Sequence, residues 1–333
     1  MIAQDRGVTC GRPRRRDVLA YCLGAAAWPF AARAASPPTP IIGYLRRTEP
    51  IPGQFAGFRE GLKSLGLEDG RTIRIEQRHA GGNMERLNAF AAELAALDVG
   101  VITVDGLVTV QAAMAATKTI PIVFALASSP APLGIAHLNR PGGNVTGILN
   151  IISELQGKRL ELLKELVPRL RRVALLLNPE GVENAGMDLV AETAKQLRLE
   201  IEIFEARDFA SWPGVFAKMA EAGIEGVLMA GDATFGSRPA EFAALAAARR
   251  LPVIYPERQF VSAGGLISYG PDLVESWRQA AGYVAKILNG ARPADLPIER
   301  PTKFVLAINL KASKALGLAV PEATLLRADE VIE

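Results

Sequence analysis

The sequence predicts an α/β fold of two doubly wound, Rossmann-like parallel-sheet domains joined by a three-strand hinge. Three observations carry it. Short apolar runs read as buried strands, they alternate with helical patterns, and the whole pattern is echoed about 130 residues later. TKTIPIVFA (117–125) is answered by RRLPVIYPE (249–257), and both set a basic helix end before a proline and a short apolar strand.

The first copy opens on the strand IIGYLRR (41–47), followed by the helical pattern FAGFREGLKSLG (55–66). RTIRIEQ (71–77), RLNAFAAELAAL (86–97), VGVITVDG (99–106) and VQAAMAATK (110–118) continue the alternation, and the run after Pro121 is the next strand. Pro141-Gly142-Gly143-Asn144 turns into a closing strand that ends at Asn150. In the second copy GKRLELLKEL (157–166) is a helix rich in charged residues. RVALLLNP (172–179), MDLVAETAKQLR (187–198), LEIEIFE (199–205), WPGVFAKMAEAG (212–223), IEGVLMAGD (224–232) and AEFAALAAARR (240–250) repeat the order of the first copy. SAGGLISYG (262–270) closes this copy as PGGNVTGIL closed the first.

The remainder breaks the symmetry. Residues 271–290 read as a helix with Trp277, Ala281, Val284 and Leu288 on one face and Gly290 as its stop. KFVLAINLKASKALGL (303–318) reads as a strand running into a helix. A helix returning to the first domain and a strand returning to the second make three crossings, a hinge suited to closure around a ligand. The expected N-terminal lobe is 41–150 plus about 270–292, and the C-terminal lobe 151–269 plus about 293–333.

Charge and cysteine usage narrow the function. The net charge of +3 is local, because residues 1–34 hold six arginines against Asp5 and Asp17. Arg15-Arg16-Asp17-Val18-Leu19, a weakly apolar run to Phe30 and Ala32-Arg33-Ala34 form a twin-arginine export pattern, with cleavage expected near Ala34 and SPPTP (36–40) in the linker of 35–40. The apolar run is too short for a permanent anchor. The rest of the chain is near neutral and offers no footprint for nucleic acid. Cys10 and Cys22 both fall in the segment expected to be removed, so the mature chain is expected to have no disulfide, thiolate metal site or cysteine nucleophile. His79 and His137 lack metal-ligand spacing, and no G-x-S-x-G, G-x-x-x-x-G-K-[ST] or G-x-G-x-x-G signature is present. No catalytic residue, metal or cofactor is expected.

In open parallel sheets a ligand sits outside the carboxyl ends of the strands. That rule nominates Arg46, Arg47 and Thr48 after the first strand, Asp105, Gly106, Leu107 and Val108 after the third, and Ser128 and Ser129 after the fourth. In the second copy it nominates Asn178 and Glu180, then Asp232 and Thr234, then Tyr255 and Glu257; the hinge adds Asn150, Ser268 and Tyr269. Gly106 to Thr109 opens a helix whose free N–H groups could hold an anion, or forms an ordinary strand-helix turn. Asp232 either pairs with a ligand ammonium or caps the next helix.

IPIVF, LNRPGGNVTGI, KRLELLKELVP, AGGLISYG and PTKFVLAINLKASKALGLAVP strongly resemble the ABC transporter substrate-binding proteins of type I periplasmic-binding fold, over nearly the whole chain. The resemblance implies a monomeric receptor in the periplasm that delivers a small solute to a membrane-embedded ABC permease and catalyses nothing. Better-understood relatives look like receptors for aromatic or other apolar amino acids, gripping the carboxylate at a helix N-terminus of the first domain and the ammonium through an Asp of the second. The matching positions are Gly106 to Thr109 and Asp232. Arg46 and Arg47 stand where many members carry small polar residues, and Asp232 is followed by Ala-Thr-Phe instead of a Pro-aromatic run. The alternatives are an exported enzyme acting on a small solute, or a sensor subunit that presents its ligand without transport.

Overall fold

In the computed structural model, residues 39–127, 130–179 and 186–333 are described. The expected export segment, most of the expected linker, Ser128, Ser129 and Glu180 lie outside them. Among the described residues no helix is long and apolar enough to cross a membrane.

The first lobe is built on β1 (Ile41–Arg46), β2 (Arg74–His79), β3 (Val101–Asp105), β4 (Ile122–Ala127) and β5 (Val145–Leu149), in the parallel order β2-β1-β3-β4-β5. β1, β3, β4 and β5 are almost wholly buried, so they read as uninterrupted apolar runs, whereas the edge strand β2 carries Arg74, Glu76 and Arg78 and stays partly exposed. The helices α1 (Pro52–Ser64), α2 (Met84–Ala96) and α3 (Gly106–Ala116) cross between them. Alternate side chains of each strand feed two cores. Leu45, Ile102, Val104 and Phe124 meet α2 and α3 on one face, and Ile42, Tyr44, Val101 and Val123 meet α1 on the other.

The second lobe uses α4 (Gln156–Leu166), β6 (Arg172–Leu177), α5 (Met187–Leu197), β7 (Glu200–Glu205), α6 (Trp212–Glu221) and β8 (Gly226–Met229). After these come α7 (Ala233–Gly236), α8 (Pro239–Ala248), β9 (Val253–Tyr255), α9 (Arg258–Ser262) and β10 (Ile267–Pro271). Its sheet has seven strands, because β11 (Phe304–Asn309) and β12 (Glu330–Ile332) extend it in the order β12-β11-β10-β9-β8-β6-β7. The sheet is parallel except at β10 and β11, which pair antiparallel. The reason is topological: β10 carries the chain out of this lobe and β11 brings it back.

Between them α10 (Leu273–Leu288) packs on α1 of the first lobe, burying Trp277, Ala280, Ala281 and Val284. Asp272 caps it by accepting from the N–H groups of Val274 and Glu275 at 3.1 and 3.2 Å. The segment up to Glu299 stays with the first lobe, since Ile298 donates to the Leu138 carbonyl and Glu299 to that of Gly147. The chain therefore crosses near Asn150, at Pro271 and after Glu299. α11 (Leu310–Leu316) and α12 (Glu322–Leu325) complete the C-terminal end. The α/β architecture of two parallel-sheet domains is thus the one the sequence predicts.

Candidate functional site

The carboxyl ends of β1, β3 and β4 face those of β8 and β9, and a cavity of about 60 Å³ lies between the lobes. Arg46, Gln54, Asp105, Gly106 and Leu126 wall it from the first lobe. Asp232, Gly236 and Glu257 wall it from the second, and Asn150 and Leu273 from the crossings. A neighbouring chamber of about 210 Å³ shares Ile51, Gln54, Glu257 and Leu273 with it and runs on past Arg258, Gln259 and Asp272.

On the first-lobe wall Arg46, 2% exposed, places Nη2 3.1 Å from Oδ2 of Asp105. Its Nη1 donates to the Tyr44 hydroxyl at 3.4 Å and to Gln54 Oε1 at 3.2 Å, and Gln54 Oε1 also accepts from the indole N–H of Trp277 at 3.2 Å. The guanidinium lies 5.6 Å from the Trp277 ring centroid. Burial works against the charge on Arg46, and the attraction of Asp105 and Tyr44 outweighs it, so its pKa lies above the ordinary arginine value. Burial likewise raises the Tyr44 phenol to about 12. Two atoms of this wall, Arg46 Nε and Asp105 Oδ1, are buried with no hydrogen-bond partner. Gly106 takes a left-handed φ of +61° so that the chain can leave β3 directly into α3. Leu126 also has a positive φ, +71°, where β4 shifts register against β5, a strained backbone at the cavity wall.

On the second-lobe wall Asp232 Oδ1 accepts from the Thr234 backbone N–H at 2.8 Å and from Asn178 Nδ2 at 3.2 Å. The capping reading of Asp232 therefore holds for one oxygen, while among the described residues nothing bonds to the other. Glu257 Oε2 accepts from Gln259 Nε2 at 2.6 Å. Burial is the main reason the Glu257 carboxyl is raised to about 7, with Asp232 adding to it and Arg46 and Arg159 opposing it.

The strand-end rule brings together Arg46, Asp105, Gly106, Asn150, Asp232 and Glu257 on the cavity, with Asn178 and Thr234 directly behind Asp232. It does not bring the others. Leu107, 4% exposed, and Val108 turn into the first-lobe core, because α3 starts at Gly106 and its second and third residues already face the sheet. Tyr255 stacks on Phe260 at 4.8 Å inside the second-lobe core, since it falls on the strand face opposite Ile254. Thr48 bonds the Glu49 carbonyl at 3.5 Å, and the Tyr269 ring lies on Phe304, so neither joins the cavity wall. Gln54 and Leu126 were not nominated: neither is a strand-end polar residue, and a capless helix start and a left-handed leucine leave no composition signal.

The model of the family described as ABC transporter substrate binding protein matches residues 51–332. A tyrosine-binding protein of Clostridioides difficile (strain R20291) is 26% identical over 264 residues, covering 79% of this chain and 76% of the relative. Among solved structures, a conserved domain protein of Vibrio cholerae O1 biovar El Tor is 28% identical with a TM-score of 0.78, covering 88% of this chain and 99% of the other. The L-Trp complex of an ABC domain from Streptococcus pneumonia has a TM-score of 0.81 at 22% identity, covering 88% of this chain and 100% of the other, and shares the fold. The chain belongs to the ABC transporter substrate-binding protein family.

Proposed function

We propose that the protein is exported and captures an amino acid in the cleft between its lobes for delivery to an ABC permease. The observation that carries this is the cavity itself, small and walled by charged side chains from both lobes. The first lobe offers Arg46 and the N–H groups at the start of α3 to a carboxylate, and the second offers the free oxygen of Asp232 to an ammonium. The adjoining chamber, lined by Ile51, Leu273 and Val274 and ending at Arg258, Gln259 and Asp272, takes a side chain with an apolar stem and a polar tip. A ligand touching both walls favours the closed arrangement by its difference in affinity for open and closed states. The tyrosine-binding relative supports the amino-acid class.

The test is the melting temperature of the purified protein against the twenty L-amino acids, small carboxylates and sugars. An amino acid at 100 times its Kd adds about 2.7 kcal/mol, a rise of a few degrees. A shift with sugars alone, or with none of the amino acids, overturns the reading.

A further inference from the structure

Glu257 stands out among the cavity residues because its position has no counterpart in the ammonium–aspartate pairing proposed above. It leaves β9 by way of Pro256 and turns back over the strand end, with Gly236 opposite. A Cβ on Gly236 would lie 3.2 Å from Gln259 Nε2 and 3.8 Å from each Glu257 carboxylate oxygen, so the glycine lets the Glu257–Gln259 pair pack against the backbone there. Asp232 and Glu257 are arranged alike. Each has one oxygen tied by a neighbour, Thr234 and Asn178 for Asp232 and Gln259 for Glu257, and among the described residues each has one oxygen with no bond. Both line the same cavity of about 60 Å³, so their charges repel across it.

The surrounding charges do not cancel that repulsion. Arg46 faces Glu257 from β1 but is already paired with Asp105 at 3.1 Å. Arg159 faces it from α4 without an ion-pair contact, and its guanidinium donates to the carbonyls of Ile152 and Tyr269 instead. Gln259 on α9 is neutral, Arg258 is paired with Glu330, and Asp272 at the start of α10 is paired with Lys303 at 3.0 Å. With Glu257 ionised the cavity holds three carboxylates against one guanidinium.

We propose that the captured amino acid places its ammonium between Asp232 and Glu257, and that Glu257 releases a proton to solvent as the ammonium arrives. This rests on the amino-acid reading above. The balance is simple: a neutral carboxyl and a zwitterionic amino acid combine, and a carboxylate–ammonium contact and one proton in solvent result. Glu257 thereby selects a charged amine over a neutral isostere, and capture strengthens as pH rises towards 7.

The experiment uses the purified wild-type protein and Glu257→Gln. The amino-acid panel, with L-tyrosine and L-tryptophan first, is run at pH 5.5, 6.5 and 7.5, and the strongest binder is titrated by calorimetry at pH 6 in two buffers of different ionisation enthalpy. With its carboxyl at about 7, Glu257 is roughly nine-tenths protonated at pH 6, so close to one proton leaves per molecule bound. Affinity then weakens by nearly tenfold per unit below pH 7. Glu257→Gln still binds, with no proton release and a flat profile. Wild-type affinity that is flat from pH 5.5 to 7.5 overturns the proposal while leaving the amino-acid reading intact. So does proton release that persists in Glu257→Gln, which would assign it to His79 beyond Arg46, whose pKa burial holds below the ordinary histidine value. A panel with no shift at any pH removes both.

Ligand-free melting curves provide an independent arm. Because the folded carboxyl binds protons more tightly than the unfolded one, the contribution of Glu257 to stability falls as pH rises from about 4.5 to 7. Glu257→Gln lacks that fall, and parallel curves for the two proteins overturn the proposal.

Discussion

Arg46 Nη2 and Asp105 Oδ2 meet at 3.1 Å across the ends of β1 and β3, with side chains 3% and 12% exposed. A pair this deep has given up most of its hydration, so its attraction is largely spent on offsetting desolvation. Removing one partner strands the other. Asp105→Ala is expected to lower stability by about 3 kcal/mol or more, whereas the double replacement Arg46→Met with Asp105→Leu costs clearly less. Urea denaturation of Asp105→Ala, of Arg46→Met and Asp105→Leu singly, and of the double variant checks this, and additive losses would show that the two charges do not depend on each other.

Asp232 performs two tasks with two oxygens, and asparagine separates them. An asparagine side chain at this position would still accept the Thr234 N–H, because asparagine and aspartate cap helices about equally well. Asp232→Asn is therefore expected to change the melting temperature little and to weaken amino-acid binding by about 30-fold, in line with a loss of roughly 2 kcal/mol for a desolvated charge contact. Calorimetry on the panel member that binds wild type measures it. An unchanged affinity would leave Asp232 as a cap alone.

The strand-end rule located Arg46, Asp105, Asn150 and Asp232 because parallel strands must all point their carboxyl ends at one crevice. Tyr255 obeyed the same rule and still missed the cavity. Whether the last residue of a strand faces a core or a ligand depends on parity, and β9 is only three residues long, too short for period-two alternation to be read. The same shortness hid α7, α9 and β12. The antiparallel pairing of β10 with β11 was legible only in part: three crossings were expected from the terminal asymmetry, but strand direction follows from where the chain re-enters, which local pattern does not encode.

Gly57 and Gly61 illustrate a signal that was present and unread. Two glycines in one turn of α1 sacrifice about 1 kcal/mol each relative to alanine. A Cβ at Gly57 would come 2.7 Å from the Val274 carbonyl oxygen, and one at Gly61 would come 2.9 Å from that of Arg278. The glycines let α10 lie directly on α1, which is how the returning helix joins the first lobe. Gly57→Ala and Gly61→Ala are expected to destabilise by about 1–3 kcal/mol despite their better helix propensity. Denaturant midpoints decide, and a gain in either variant would mean that the helices separate at no cost.

Arg159 raises the opposite problem, a guanidinium wholly buried without an ion-pair partner among the described residues. Nη2 donates to the Ile152 carbonyl at 2.9 Å and Nη1 to that of Tyr269 at 3.4 Å. Ile152 follows the first crossing and Tyr269 precedes the second, so one side chain ties two of the three hinge segments. Burial opposes the charge and lowers its pKa to about 9, with Glu257 acting to raise it. What retains the residue is then its fork of donors. Lysine keeps the charge, in a more strongly hydrated form, but has a single nitrogen on a shorter reach and leaves one carbonyl bare. Methionine leaves both bare and removes the buried charge altogether. Arg159→Lys is therefore expected to lose about 3 kcal/mol, and Arg159→Met less, an order that a simple charge requirement would reverse. Urea unfolding of the three proteins at pH 7 distinguishes the two, and a lysine variant as stable as wild type would dismiss the fork.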